Sequence, residues 1–298
     1  MNEQTGNGYQ LLLLLMIFIV CLAVGQGISF ILFKSIGLYP DQVADLPTVW
    51  ERQIVRLSAI LGHLTSFTVS SLLFLWLFHR SEIGTFLKTD ELPSISVLIQ
   101  CVILLFVAYP IVIQVTQWNM AIPLPEWAKV SSDASQNLLK GILNMNGVGE
   151  LATTLFLVGI VPAIGEELLF RGIIQNKLTK LMNTHLAIFI ASLLFSLTHM
   201  QLERFLPFLV LGLILGYSYH YTRNFWVPVI MHFLNNSFQV VGLYSNREMI
   251  ENIDLNDVPE LPLASVIFSI IATLGILTFL RNKYLNTTPL DDKQELTA

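Results

Sequence analysis

Long apolar runs separated by short polar stretches dominate the chain. Such runs lie at residues 9–33, 56–78, 95–118, 151–172, 186–199, 205–221, 226–244 and 263–280. A bilayer core requires about 20 predominantly apolar residues of helix, and continuous runs differ from the period-2 alternation of membrane β-strands. The pattern therefore predicts an all-α fold, a polytopic bundle of about eight transmembrane helices.

The composition also favours a membrane protein. Of the 298 residues, 54% are hydrophobic and 12% are charged, whereas soluble domains average about 25% charged residues. We therefore expect an integral membrane protein that contacts the lipid bilayer. The size of the chain and its short loops are typical of a protein of the bacterial cytoplasmic membrane. The net charge of −5 provides no basic patch, which argues against a nucleic-acid partner.

The segments around these runs suggest three regions. Residues 1–148 hold about three transmembrane helices, residues 149–246 a catalytic core, and residues 247–298 an acidic loop, the last transmembrane helix and a polar tail. The first ten residues contain no Lys or Arg, so we interpret the first run as a retained helix rather than a signal peptide. Within 119–148, the stretch SSDASQNLLKGILNMNG is a candidate interfacial helix.

Other features are weaker signals. Cys21 and Cys101 lie in apolar runs, and we interpret both as packing residues. Arg52 and Arg56 fall at the boundary of a predicted loop, and we interpret both as loop cations. The acidic loop favours an arrangement with both termini cytoplasmic.

Residues 165–172, GEELLFRG, place two carboxylates and a guanidinium in an apolar run. A charged side chain at the bilayer centre costs about 2.5–3.5 kcal/mol on insertion scales. Glu167 and Arg171 are four residues apart and can pair on one helical face, whereas Glu166 points about 100° away. A structural ion pair explains Glu167 and Arg171, but it leaves Glu166 without a partner.

Two further polar motifs occur in apolar runs. FSLTHM places His199 four residues after Phe195, and MHFLNNSF places Asn236 four residues after His232. His232 and Asn236 therefore share a helical face, while Asn235 lies one step round it. Each motif alone is compatible with interhelical hydrogen bonding.

The remaining histidines serve as a comparison. His63, His79, His185 and His220 have no acid or amide four residues away in an apolar run. We interpret them as packing or interfacial residues.

Together, the three polar motifs within the apolar runs suggest catalysis. Glu, His, His and Asn converging in a bundle can activate a water molecule and stabilise an oxyanion. The sequence has no GxSxG, no HExxH and no paired aspartates in its apolar runs, which disfavours serine, site-two metallo and aspartyl intramembrane proteases.

The set of motifs resembles the CPBP family, which comprises CAAX-processing endopeptidases and bacteriocin-processing or self-immunity proteins and is also called the Abi family. EExxxR, FxxxH and HxxxN occur in this order, at Glu166, Glu167 and Arg171, at Phe195 and His199, and at His232 and Asn236. The resemblance covers about residues 151–244. It implies an intramembrane endopeptidase that cleaves a membrane-embedded or membrane-associated peptide or protein.

The resemblance also implies roles for four residues in the reaction. Glu166 corresponds to the general base that activates water, and His199 shares that water. His232 and Asn236 correspond to a pair that stabilises the oxyanion.

Three further residues correspond to support for the site: Glu167 and Arg171 as a pair, and Phe195 as packing beside it. We expect no cofactor. Zinc is the alternative, because two histidines and a carboxylate can bind it, although asparagine is a poor zinc ligand. Two other functions stay open, namely a non-enzymatic scaffold or bacteriocin-immunity factor and, less favoured, a small transporter with a proton relay.

Overall fold

A computed structural model describes residues 3–38, 48–246 and 258–285, and within them every regular element is helical. The principal helices are α1 (Glu3–Ser35), α2 (Val49–Phe78), α3 (Ile83–Leu87), α4 (Ile95–Met120), α5 (Glu126–Leu143), α6 (Val148–Leu178), α7 (Thr184–Thr198), α8 (Phe205–Thr222), α9 (Trp226–Ser245) and α10 (Leu263–Leu285). The predicted all-α membrane bundle is confirmed.

Among the described residues, six helices are long and apolar enough to cross a membrane, namely α1, α2, α4, α6, α8 and α10. The predicted count of about eight is not confirmed. The helix α7 has only 15 residues, and the polar side chains of His232, Asn235 and Asn236 make α9 less apolar. Both are nevertheless helices at the predicted positions.

The outer surface is strongly apolar. Large side chains such as Leu12, Phe30, Phe268 and Ile271 are exposed along α1 and α10. Soluble monomers rarely expose contiguous apolar patches of this extent. We conclude that these faces contact lipid.

Two clusters of buried side chains hold the bundle together. The first joins α1, α2, α6, α7 and α8 through residues that include Leu14, Phe74, Phe170, Phe195 and Tyr219. The second joins α4, α8, α9 and α10 through residues that include Cys101, Leu215, Met231 and Leu280. Cys101 is a free, buried thiol, as expected of a packing residue. The helices α8 and α9 connect the two clusters, because Tyr219 and Val229 belong to the first and Leu215 and Met231 to the second.

The interpretation of Arg52 and Arg56 as loop cations was wrong. Both side chains are buried in α2, with exposures of 2% and 0%. Arg52 Nε and Arg56 Nη1 donate to Glu150 Oε1 at 2.9 and 2.7 Å, and Arg56 also donates to the carbonyls of Ile142 and Asn144. The two arginines therefore fasten α2 to the end of α5 and the start of α6.

The ends of these segments also refine the sequence prediction. The helix α2 begins at Val49, inside the predicted loop, because Thr48 and Glu51 form a capping box that satisfies two orphan N–H groups. The predicted helix in 119–148 is present as α5. Most of the acidic loop (247–257) and the polar tail (286–298) lie outside the described residues.

Candidate active site

The helix α6, which carries GEELLFRG, is not a regular α-helix. It contains π-helical turns at Leu155–Ile160 and Leu168–Gln175, a feature that recurs at functional sites. Pro162 has no N–H for the carbonyl four residues earlier, so the Val158 carbonyl lacks its α-helical donor. Asn236 Nδ2 of α9 donates to that carbonyl at 2.9 Å. The proline thus creates the acceptor that orients Asn236.

Glu167 lies in a fully buried ionic group with Arg171 and His232. Arg171 Nη1 and His232 Nδ1 approach Glu167 Oε1 at 2.7 and 2.8 Å, and Arg171 Nη2 donates to the Gly212 carbonyl of α8 at 2.9 Å. Glu167 and Arg171 are 0% and 1% exposed. The predicted Glu167–Arg171 pair is therefore present, and it also ties α6 to α8 and α9.

The contact with Glu167 assigns the tautomer of His232. A carboxylate paired with arginine can only accept, so Nδ1 of His232 carries the proton that it donates. In the neutral imidazole, Nε2 is then a lone-pair nitrogen. His232 can donate a second hydrogen bond from Nε2 only as an imidazolium.

Glu166 has different neighbours. His63 Nε2 of α2 lies 3.0 Å from Glu166 Oε1, and His199 Nε2 lies 4.0 Å from Glu166 Oε2. Among the described residues, Oε2 is buried without a hydrogen-bond partner. One oxygen of Glu166 is therefore paired and the other is available, and no described arginine forms an ion pair with it.

His199 is oriented by its own helix end. Its Nδ1 lies 2.9 Å from the Phe195 carbonyl, which can only accept, so the neutral ring presents a lone pair at Nε2. The ring stacks on Phe208 with centroids 3.9 Å apart. These contacts hold Nε2 toward Glu166.

Phe195 packs against the two motif histidines. It is 0% exposed and contacts the rings of His199 and His232 at centroid distances of 4.9 and 5.8 Å. The Arg171 guanidinium lies 4.6 Å from its ring centre. Phe195 thus separates and supports the two groups built on Glu166 and Glu167.

The structure brings some of the predicted site residues into contact but not others. Glu166 and His199 face each other, and His232 joins Glu167 and Arg171. The described hydrogen bonds of Asn236 go to Val158 and to Asn235, whose Nδ2 donates to Asn236 Oδ1 at 3.0 Å. The predicted patch of His232 and Asn236 is therefore a shared helical face rather than a direct hydrogen bond.

Sequence reasoning missed His63. The interpretation of this residue as packing or interfacial was incomplete, because its ring contacts Glu166 directly. No acid or amide lies four residues from it, which is why the helical-spacing rule passed over it. A usable signal was the run of small polar residues around it in α2, which includes Ser58, Thr65, Ser66 and Ser70.

The described side chains are not grouped as a zinc site. Within the described ranges, no three histidine, cysteine, aspartate or glutamate side chains are grouped as metal ligands. We therefore derive no step through a metal, and metal-free chemistry stays a prediction.

The fold and site define a class, a helical membrane protein with carboxylates and histidines buried among its helices. Residues 149–238 match the model of the type II CAAX prenyl endopeptidase Rce1-like family. This segment is therefore similar to a family of membrane endopeptidases, in agreement with the CPBP resemblance of the sequence motifs.

Similar proteins come from bacteria. The chain is 34% identical over 82 residues to YdiL of Bacillus subtilis (strain 168), described as a candidate membrane peptidase. It is 30% identical over 103 residues to the membrane-embedded CAAX protease MroQ of Staphylococcus aureus (strain USA300), and 36% identical over 84 residues to the UPF0177 protein YxdF of Lactococcus lactis subsp. lactis (strain IL1403).

These matches cover 28%, 33% and 28% of this chain, and 34%, 42% and 46% of the respective relatives. The chain thus spans less than half the length of each of these relatives. No solved structure matches the chain significantly.

Proposed function

We propose that the chain is an intramembrane endopeptidase that hydrolyses a peptide bond with water activated by Glu166. The observation that carries this proposal is that the unpartnered oxygen of Glu166 faces His199, because Oε2 of Glu167 is also buried without a hydrogen-bond partner among the described residues. Glu166 Oε2 is buried, has no hydrogen-bond partner among the described residues, and faces His199. An uncompensated carboxylate at membrane depth is costly, and ionisable residues there are typically functional.

The first step is attack by water. The 4.0 Å separation between His199 Nε2 and Glu166 Oε2 is too long for a direct hydrogen bond and suits a bridging water. Both atoms are acceptors, so the water donates to both and aims its oxygen lone pair at the substrate carbonyl carbon. Glu166 takes a proton as the new C–O bond forms.

The second requirement is stabilisation of the oxyanion. We assign this role to His232 and Asn236 of α9. Since His232 Nδ1 donates to Glu167, His232 serves this role as an imidazolium that donates from Nε2. Asn236 has a second amide N–H besides the one directed at Val158.

Glu167 and Arg171 support the site without touching the substrate. The Glu167 carboxylate stabilises the charge on His232 and fixes its ring, and Arg171 balances Glu167. The reaction ends when the C–N bond breaks and Glu166 returns its proton to the departing amine. The products are one new carboxylate and one new amine.

A cavity of about 220 Å³ adjoins the site and supports a peptide substrate. Its lining includes Phe208, which stacks on His199, and Asn235, which bonds to Asn236. Other lining side chains are mainly apolar and come from α4 and α8, including Leu105, Val112, Ile113, Leu211 and Ile214. We assign it to apolar side chains of a membrane-associated peptide or protein beside the cleaved bond.

The test is cleavage of a membrane-peptide library by the purified protein in detergent. We expect wild-type protein and Glu82→Gln, which removes an exposed glutamate, to cleave the same peptides. Glu166→Gln should cleave them about 10²–10⁴-fold more slowly, the usual contribution of a general base. Binding of peptides without cleavage by the wild-type protein would support a scaffold instead.

A further inference from the structure

The side chain of His63 lies outside the three sequence motifs and outside the matched segment 149–238. It comes from α2, yet its Nε2 lies 3.0 Å from Glu166 Oε1, with side-chain exposures of 18% and 9% for the two residues. The N-terminal helices therefore contribute a group that contacts the reactive carboxylate.

Close helix packing fixes the position of His63. A Cβ at Gly165, directly before Glu166, would lie 2.7 Å from Thr68 Oγ1 and 3.3 Å from His63 Cε1. On the other side, a Cβ at Gly25 of α1 would lie 2.9 Å from the Gly62 carbonyl oxygen. Glycines at these crossings let α1, α2 and α6 approach closely, so His63 cannot withdraw without moving α2.

The ring orientation of His63 is fixed as well. It stacks on Phe67 with centroids 4.5 Å apart and an interplanar angle of 20°. The stack spans a π-helical turn at Leu64–Val69, within which Thr65 and Ser66 hydroxyls donate to the carbonyls of Leu61 and Gly62. The stacked ring presents Nε2 to Glu166.

The donor and the acceptor in the contact between His63 and Glu166 can be assigned. The carboxylate accepts, so His63 Nε2 donates. His63 Nδ1 is buried and has no hydrogen-bond partner among the described residues, and an unsatisfied lone pair there costs less than an unsatisfied charged N–H. His63 thus acts as a fixed donor to Oε1.

We infer that His63 is a positioning residue that holds Glu166 Oε1 and so directs Oε2 toward His199 and the reacting water. The inference rests on the proposed function. Small displacements of a reacting group can lower rates by about 10²-fold, and a hydrogen bond to a charged group contributes more than a neutral one. Loss of the donor should therefore reduce turnover while leaving substrate binding largely intact.

A matched set of variants tests this role. His63→Gln keeps an N–H donor, His63→Met has similar length without a donor, and His63→Phe keeps the stack on Phe67. His79→Phe is the control, because His79 also stacks on a phenylalanine, Phe86, and bonds to a glutamate, Glu82.

We expect kcat to fall about 10- to 100-fold in His63→Met and His63→Phe, with KM within about threefold of wild type, since the lost bond acts in the chemical step. His63→Gln should recover most of the loss, and His79→Phe should retain wild-type kcat. Melting temperatures report folding, and the comparison between Gln and Met at equal melting temperature isolates the donor.

The two proposals fail differently. If Glu166→Gln is inactive but His63→Phe and His63→Met keep wild-type kcat, the role of His63 is overturned alone. Equal losses in His63→Gln and His63→Met at equal stability also overturn it, because the donor would then be irrelevant. If Glu166→Gln stays active, the proposed function and the inference fall together.

Discussion

Glu166 and Glu167 are neighbours on one helix, yet their surroundings differ. Glu167 is 0% exposed and accepts from Arg171 and His232 through one oxygen. Glu166 is 7% exposed and contacts the histidines His63 and His199 without an arginine. A nearby cation favours the ionised carboxylate, which suits a structural group. The carboxylate that is left without a permanent cation is better suited to exchange a proton.

The largest expected effect concerns the buried pair. Arg171→Met should destabilise the protein by about 3–5 kcal/mol, because Glu167 is left as an uncompensated buried charge. The double variant Glu167→Gln with Arg171→Met should recover part of the loss. Thermal denaturation in detergent measures both.

Equal or lower stability of the double variant than of Arg171→Met would show that the Glu167–Arg171 contact is not the source of the stability. In that case the structural role assigned to Glu167, in contrast to the catalytic role of Glu166, would be contradicted.

The next effect concerns the oxyanion pair on α9. His232→Gln and Asn236→Ala should each lower kcat by about 10²–10³-fold, the loss seen when one oxyanion donor is removed. KM should change little, because the charge develops only in the transition state. Steady-state kinetics on a cleaved peptide provide the measurement. Losses confined to KM would assign these side chains to substrate binding.

The smallest expected effect is the change in activity on metal removal. Chelator-treated protein should keep its activity with negligible zinc, because Glu166 activates water directly. Elemental analysis alongside activity measures this. The anchoring of His199 and His232 through Nδ1 also occurs at zinc sites, so the outcome is informative. Activity that tracks about one zinc per chain would contradict the metal-free mechanism.

Much of the fold was predictable from the sequence. Apolar runs located the helices because backbone groups in a bilayer must be satisfied within the helix. The prediction was wrong for Arg52 and Arg56, because their burial depends on Glu150, 94 or more residues away. Such a long-range pair leaves no local pattern.

The candidate site was also only partly predictable, because local spacing reveals contacts within a helix but not contacts between helices. The Glu167–Arg171 contact follows from local spacing and was found. The link from Glu167 to His232 and the approach of His63 to Glu166 depend on helix crossings, 65 and 103 residues apart in sequence. Glycines at Gly25 and Gly165 permit the crossings of α2, but a glycine alone does not specify which helix approaches it.

The most direct test compares Glu166→Gln with Glu167→Gln in the same detergent preparation, with kcat and melting temperature measured for each. Glu166→Gln should lower kcat by about 10²–10⁴-fold with a melting temperature equal to or above that of wild type, since functional groups are commonly kept at a cost in stability. Glu167→Gln should melt well below wild type, because Arg171 loses its counter-charge. A Glu166→Gln protein with wild-type kcat, beside an inactive Glu167→Gln protein of wild-type stability, would contradict the assignment of the two carboxylates.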